Sequence, residues 1–188
     1  MQNTLELIKN FIPSCEQEET DKQHILDVCC KHSNLLSREN NFSHFTSSAF
    51  VLNREHTKVL CCFHNIYQSW SLLGGHADGN DNLLNVAKQE IAEESSLQNV
   101  ITLSEKPISL DILVAEGHVK NSKWISAHLH FNTCFLFEAD ENAPIKNKPD
   151  ENSAVAWLNF EELITKAREP QMKIVYKKII KKIKNFRK

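Results

Sequence analysis

The chain has 188 residues, 41% of them hydrophobic, and a formal net charge of -2. That length suits one folded domain with terminal additions and supplies enough apolar surface for a substantial core. A charge so close to zero gives no overall pull toward nucleic acid or an anionic membrane, and no run nears the roughly 18–20 apolar residues of a membrane span.

The opening MQNTLELIKNFIPSC lacks a long apolar core behind a basic cap, so no signal peptide is expected. Cys15, Cys29, Cys30, Cys61, Cys62 and Cys134 contain no CxxC pair. This is neither a zinc spacing nor a small secreted disulfide framework, and it predicts reduced thiols and a cytoplasmic location.

Residues 1 to about 40 read as helical. Leu5, Ile8 and Phe11 recur at helical spacing until Pro13 interrupts them, and a second helix carries Ile25, Val28 and Cys29 up to a polar SRENN turn. His24, His32 and the nearby thiols are metal-ligand types, but satisfied or exposed side chains are the favoured reading of them. From Phe42 the pattern turns to strands: HFTSSAFVLN and KVLCCFH, separated by the polar REHT, predict a hairpin. Trp70 and LLGG lead to His76. The two glycines let backbone approach a ligand closely, and backbone N–H groups in such a loop hold phosphate oxygens. His76 is therefore a candidate contact to a phosphate or leaving group, with a hydrogen bond inside the loop as the alternative.

Gly74 to Leu97, GGHADGNDNLLNVAKQEIAEESSL, begins as a small-residue loop and becomes a helix with Glu90, Glu93 and Glu94 at i, i+3 and i+4. At about 100° per residue, Leu83, Leu84, Ala87 and Ile91 mark the apolar arc and Val86 falls just beyond its edge. The glutamates crowd the margin of that arc, whereas Asn85, Lys88, Gln89 and Ala92 take the solvent side. Like charges at these spacings repel by roughly 0.2–0.5 kcal/mol per pair, and anions in a helix's last turns oppose its dipole. With Lys88 pointing elsewhere, the economical counter-charge is a hard divalent cation, which prefers carboxylate oxygens. An ordinary acidic amphipathic helix is the alternative.

ITLSEKPISLDILVAEGHV supplies one or two further strands. KWISAHLHFNTCFLFEA then alternates clearly, with Leu129, Phe131, Phe135 and Phe137 on one face and His128, His130, Asn132 and Cys134 on the other. The histidine face is expected to line something wet and to touch a ligand; two histidines at i, i+2 are also a transition-metal pattern. Ala139 to Asn152 is a loop, ending at Asp150 and Glu151. AVAWLNFEELITKA gives a strand and a short helix. The terminal QMKIVYKKIIKKIKNFRK has an apolar stripe of Ile179, Ile180, Ile183 and Phe186 with lysine and arginine elsewhere, which predicts a helix laid on its own domain with a solvated basic face. Membrane or RNA binding is the alternative for such a helix.

The segment after the strands resembles the signature of the Nudix hydrolases, G-x5-E-x7-R-E-U-x-E-E-x-G-U with U a bulky aliphatic. The match runs through Gly75, Asp81, Gln89, Glu90, Ile91, Glu93, Glu94, Ser96 and Leu97. The three glutamates, the opening glycine and both aliphatics are in register. Asp81 stands for glutamate, Gln89 for arginine and Ser96 for the glycine that ends the helix. The order HFTSSAFVL, GGH, LDI, HLHF is also similar to a bacterial Nudix subgroup of unassigned substrate, so the likeness spans residues 42–165 approximately.

The resemblance implies an α/β fold, a Nudix-type α/β/α sandwich with a mixed β-sheet. Residues 1–40 would form an added N-terminal helical segment and 41–188 the Nudix domain. It implies hydrolysis of a diphosphate linkage in a nucleoside diphosphate derivative, with Glu90, Glu93 and Glu94 holding Mg²⁺ or Mn²⁺. Glu93, Glu94 or Glu151 would take the attacking water's proton, and Gly75, His76, Asp81, His128 and His130 would contact the substrate. The expected partner is a small molecule, with no membrane, no nucleic acid and a homodimer left open. Two rivals share the fold: a non-catalytic scaffold binding a nucleotide or protein, and an isomerase of the isopentenyl diphosphate type, which would use Cys61 or Cys62 with a glutamate.

Overall fold

The computed structural model describes residues 1–120 and 122–186, apart from the side chains of Lys120 and Phe186. Helices α1 (Gln2–Asn10) and α2 (Glu16–Cys29) open the chain on either side of Pro13. Ile8, Phe11 and Ile25 are buried and Leu5 is half-buried, as the helical spacing predicts.

The strands β1 (Ser43–Asn53), β2 (Lys58–His64) and β3 (Ser69–His76) precede α3 (Leu83–Ser95). After it come β4 (Ile101–Thr102), β5 (Ser109–Ala115), β6 (His118–Lys120), β7 (Lys123–Ile125), β8 (His128–Ala139) and β9 (Asn152–Asn159), then α4 (Phe160–Lys166) and α5 (Pro170–Phe186). One seven-stranded sheet runs β4-β8-β1-β3-β2-β9, with β5 also on β8; β6 and β7 form a separate hairpin. β1 and β8 are parallel while their other neighbours are antiparallel, so the sheet is mixed.

The predicted β1–β2 hairpin is only partly realised. Asn53 Oδ1 accepts the N–H groups of Thr57 and Lys58, each at 2.8 Å, and reverses the chain. The strands then pair only at Leu52 and Val59, and β3 enters between them. β3 pairs antiparallel with β2 through Ser69 to Leu72 and with β1 through Leu73 to His76, so each half of this glycine-bearing strand is held by a different neighbour. The outer edge of β5 is covered by α2, where Asp21 accepts the N–H of Ile112 at 2.9 Å.

Strict alternation divides the sheet into two faces. Phe45, Ala49 and Val51 of β1 and Phe131, Phe135 and Phe137 of β8 pack with Ala87 and Ile91 of α3 and with the N-terminal helices. Phe50, Leu52, Cys134 and Leu136 pack on the other face against Tyr176, Ile179, Ile180 and Ile183 of α5. The stripe on α5 is thus laid on its own domain; Phe186 and Arg187 lie outside the described side chains. Its basic face is not wholly solvated, since Lys178 and Lys182 reach the buried Glu18 of α2 and Lys178 also meets Asp111. The middle of the polar face of β8 is not wet, because Asn132 and Cys134 are buried, while His128 and His130 at one end border a pocket. On α3, Val86 is buried and Leu84 only half-buried, a small rotation from the predicted arc that seats Val86 in the core.

Candidate functional site

The end of β3 separates two polar clusters, because successive side chains point to opposite faces. Gly75 faces α3. A Cβ there would stand 2.0 Å from Glu90 Oε1, so the glycine is what lets this carboxylate lie against the strand. Gly74 donates its N–H to Glu94 Oε2 at 2.8 Å. Glu94 is 2% exposed, and the Cys62 thiol lies 3.8 Å from its other oxygen.

Burial, reinforced by Glu93 and Glu151, raises Glu90 to about 7. Burial raises Glu94 to about 8, with Glu90 and Glu151 adding to the effect against the Gly74 N–H. These are two desolvated acids without adequate compensation. The third glutamate departs from expectation. Glu93 is exposed rather than at the buried margin, because its position on the helix turns it toward the 140–151 loop.

That loop holds a counter-charge that the spacing on α3 did not reveal. Lys148 Nζ lies 3.2 Å from Glu93 and 3.1 Å from Glu151, joining the box helix to the loop acid. Burial opposes the lysine's charge, but Glu151 and Glu93 outweigh it and raise its pKa. The loop is fixed to the C-terminal carbonyls of α3, where Asn152 Nδ2 donates to Glu94 O at 3.1 Å and Lys146 N to Ser95 O at 2.9 Å. Lys148 offsets one of the two charges of Glu93 and Glu151, and among the described residues no cation makes an ion pair with Glu90 or Glu94. Hard carboxylate oxygens, close to one another and poorly compensated, suit a divalent ion such as Mg²⁺ or Mn²⁺.

Other box positions are placed differently. Asp81 receives the Met1 ammonium at 2.7 Å and the N–H groups of Thr4 at 2.9 Å and Asn3 at 3.1 Å. Burial would raise its pKa, but these donors outweigh it and hold Asp81 at about 2. Its carboxylate is therefore committed to the first turn of α1. Gln89 is exposed and meets Asn80 at 3.5 Å. Ser96 occupies the helix-ending left-handed conformation at φ 61° that glycine adopts without strain. Cys61 faces the α5 core, while burial and Glu94 push the Cys62 thiol up to about 12 and keep it protonated.

The second cluster lies on the opposite face. His76, His128 and His130 gather there together with His44 of β1. His44 stands opposite His130 in the parallel ladder, and Thr46, two residues on, stands opposite His76. Ring centroids are 5.0 Å apart for His44–His76, 4.8 Å for His44–His128 and 5.1 Å for His44–His130. Burial, then the neighbouring histidines, pushes His130 down to about 2, and burial lowers His44. The rings border a pocket of about 350 Å³ walled in part by Tyr67 and Trp124. His44 had a legible signal: it shares the parity of Thr46 and Ser48 in HFTSSAF, the polar side of an otherwise apolar strand. Lys148 and Asn152 had none, since their roles depend on where an irregular loop docks.

No curated protein matches the chain at a significant level. Among solved structures, an Ap4A hydrolase from C. elegans superposes with a TM-score of 0.57 at 13% identity, covering 75% of this chain and 98% of its own. A NUDIX-family hydrolase from Clostridium perfringens gives 0.51 at 20% identity over 73% and 96% of the two chains. The E. coli dihydroneopterin triphosphate pyrophosphohydrolase gives 0.52 at 11% identity over 70% and 91%. These likenesses establish the fold. The family model described as NUDIX domain matches residues 43–182, well over half of the chain and the whole of the glutamate helix. The chain belongs to the Nudix hydrolase family.

Proposed function

We propose that the protein is a metal-dependent pyrophosphohydrolase that cleaves a diphosphate linkage in a nucleoside diphosphate derivative by attack of water at phosphorus. The observation that carries this reading is the half-buried Glu90 against Gly75 beside the buried Glu94 on Gly74, with Lys148 engaged elsewhere. Two acids so placed are costly unless protonated or bound to a cation. Glu90 and Glu94, with Glu93 on the exposed side, would hold Mg²⁺ or Mn²⁺; such an ion offsets pyrophosphate charge and acidifies a bound water.

The chain's own groups supply the remainder. The glycine pair serves the carboxylates, Gly75 by leaving room for Glu90 and Gly74 by donating its N–H to Glu94. Lys148, shared between Glu93 and Glu151, adds a positive charge beside the same acids. Glu93, Glu94 and Glu151 are the carboxylates available to accept the attacking water's proton. Gly75 serves here by admitting Glu90, and Asp81 by anchoring α1 rather than by meeting the substrate.

Assay of Ap4A, dihydroneopterin triphosphate, ADP-ribose, NAD and nucleotide sugars with Mg²⁺ or Mn²⁺ tests the reading. Turnover of at least one is expected, and Glu93→Gln or Glu94→Gln should abolish it with an unchanged circular dichroism spectrum. Undiminished turnover in both variants would refute the assignment. A scaffold that binds without cleaving is the second reading, favoured by the diversion of Asp81 to α1. It predicts ligand-induced stabilisation with no product formed.

A further inference from the structure

The histidine cluster has a chemistry of its own. His44 Nδ1 lies 3.0 Å from the carbonyl of Asn40, and His128 Nδ1 lies 2.8 Å from the carbonyl of Ser126. A carbonyl only accepts, so each Nδ1 carries the ring proton and each Nε2 presents a lone pair. His44 is 3% exposed and its Nε2 has no hydrogen-bond partner among the described residues. His128 Nε2 and His130 Nε2 are 3.0 Å apart. Within the cluster, a proton on His130 Nε2 satisfies the lone pair of His128 and leaves that of His44 unmet, a desolvated acceptor without compensation.

A phosphate does not answer this arrangement, because the two fixed Nε2 atoms accept and have no proton to donate to an anionic oxygen. A shared electrophile does. The candidate ligand atoms of His44, His76, His128 and His130 all lie within 4.8 Å of one another. With metal–nitrogen bonds of about 2.0–2.1 Å, a tetrahedral four-imidazole site has nitrogen–nitrogen edges of about 3.3 Å, so modest ring rotations close the set. Carbonyls that fix the tautomer from behind are the usual supports of metal-bound imidazole. Among the described residues that wall the pocket, Arg38 is the one strongly charged group, and it is paired with Asp78.

We propose that His44, His76, His128 and His130 form a binding site for a divalent transition ion of the zinc class, distinct from the carboxylate site on the other face of the sheet. All-nitrogen, neutral ligands favour zinc, nickel, copper or cobalt over magnesium. The ion ties together three adjacent strands, β8, β1 and β3, at the point where β3 delivers Gly75 to Glu90. The assignment requires no hydrolytic activity, so it stands or falls separately from the function proposed above.

The test uses the full chain without a histidine tag, stripped with chelator and kept in excess Mg²⁺ to occupy the carboxylates. Titration with Co²⁺ should give the visible absorption of a tetrahedral nitrogen site, saturating at one equivalent and abolished by one equivalent of Zn²⁺. His44→Asn and His130→Asn, checked for folding by circular dichroism, should each weaken binding beyond the roughly 10–100-fold that losing an outer supporting partner costs. X-ray absorption of the zinc-loaded wild-type protein should count four imidazole nitrogens, which decides the matter even where a variant misfolds. Absence of the tetrahedral spectrum in the folded wild-type protein, or its persistence in both folded variants, would overturn the site.

Discussion

At Gly75 a hydrogen in place of a methyl group decides where Glu90 can lie. The Cβ of an alanine would fall 2.0 Å from the carboxylate oxygen, so Gly75→Ala must displace Glu90. A misplacement of about 1 Å at a reacting centre costs roughly 100-fold in rate, and kcat of the variant is expected to fall on that order with little change in melting temperature. Wild-type kcat would mean that the position of Glu90 is immaterial. At this scale the sequence was informative where identity alone sets the role: the glutamates were readable from helical spacing, and Gly75 and Ser96 from the match to the Nudix signature. Exposure was not. Glu93 sits one helical step from Glu94 yet faces solvent, and its partner Lys148 comes from a loop with no periodicity. Asp81 matched the signature by position, but the docking of α1 claimed its carboxylate, a contact 77 residues away in the chain.

Between elements, the most consequential polar contact outside the two clusters joins α2 to α5. Glu18 is fully buried and accepts from Lys182, Ser14 and Ser109, with Lys178 beside it. Burial alone would raise its pKa, but Lys182 first, then Ser14 and Lys178, outweigh that penalty and lower it below the ordinary 4.5. A depressed carboxyl pKa adds stability above the unfolded value, lost as pH falls through the folded one. The brace should therefore hold at neutral pH and fail progressively below about pH 4.5. Glu18→Gln leaves the half-buried Lys182 ammonium without its carboxylate and is expected to cost about 3 kcal/mol at pH 7, less at pH 3, measured by urea unfolding. Equal losses at both pH values would contradict the role. Of the elements themselves, alternation identified both faces of β8 and the 3.6 period identified α5. The insertion of β3 between β1 and β2 escaped notice, because a local turn predicts a hairpin while strand order is settled by distant pairing.

Seen as a whole, the molecule uses one sheet to keep two unlike ligand sets apart. Hard oxygens gather with α3 on one face and imidazole nitrogens gather beside a pocket on the other, with Gly75 and His76 as adjacent residues pointing opposite ways. The family and the sandwich could be inferred from the chain because the glutamate spacing and the strand patterns are local. The fourth histidine could not be assigned a partner before the parallel β1–β8 register was known. The central claim is that the corner formed by Glu90 and Glu94 against Gly75 holds a divalent ion required for hydrolysis. Anomalous diffraction from Mn²⁺-soaked crystals of the wild-type protein and of the Glu90→Gln, Glu94→Gln variant, with turnover measured on the same preparations, tests it most directly. The account predicts a manganese peak at that corner in the wild type, and loss of both peak and turnover in the variant. A wild-type corner without manganese, or turnover that survives the double substitution, would contradict it.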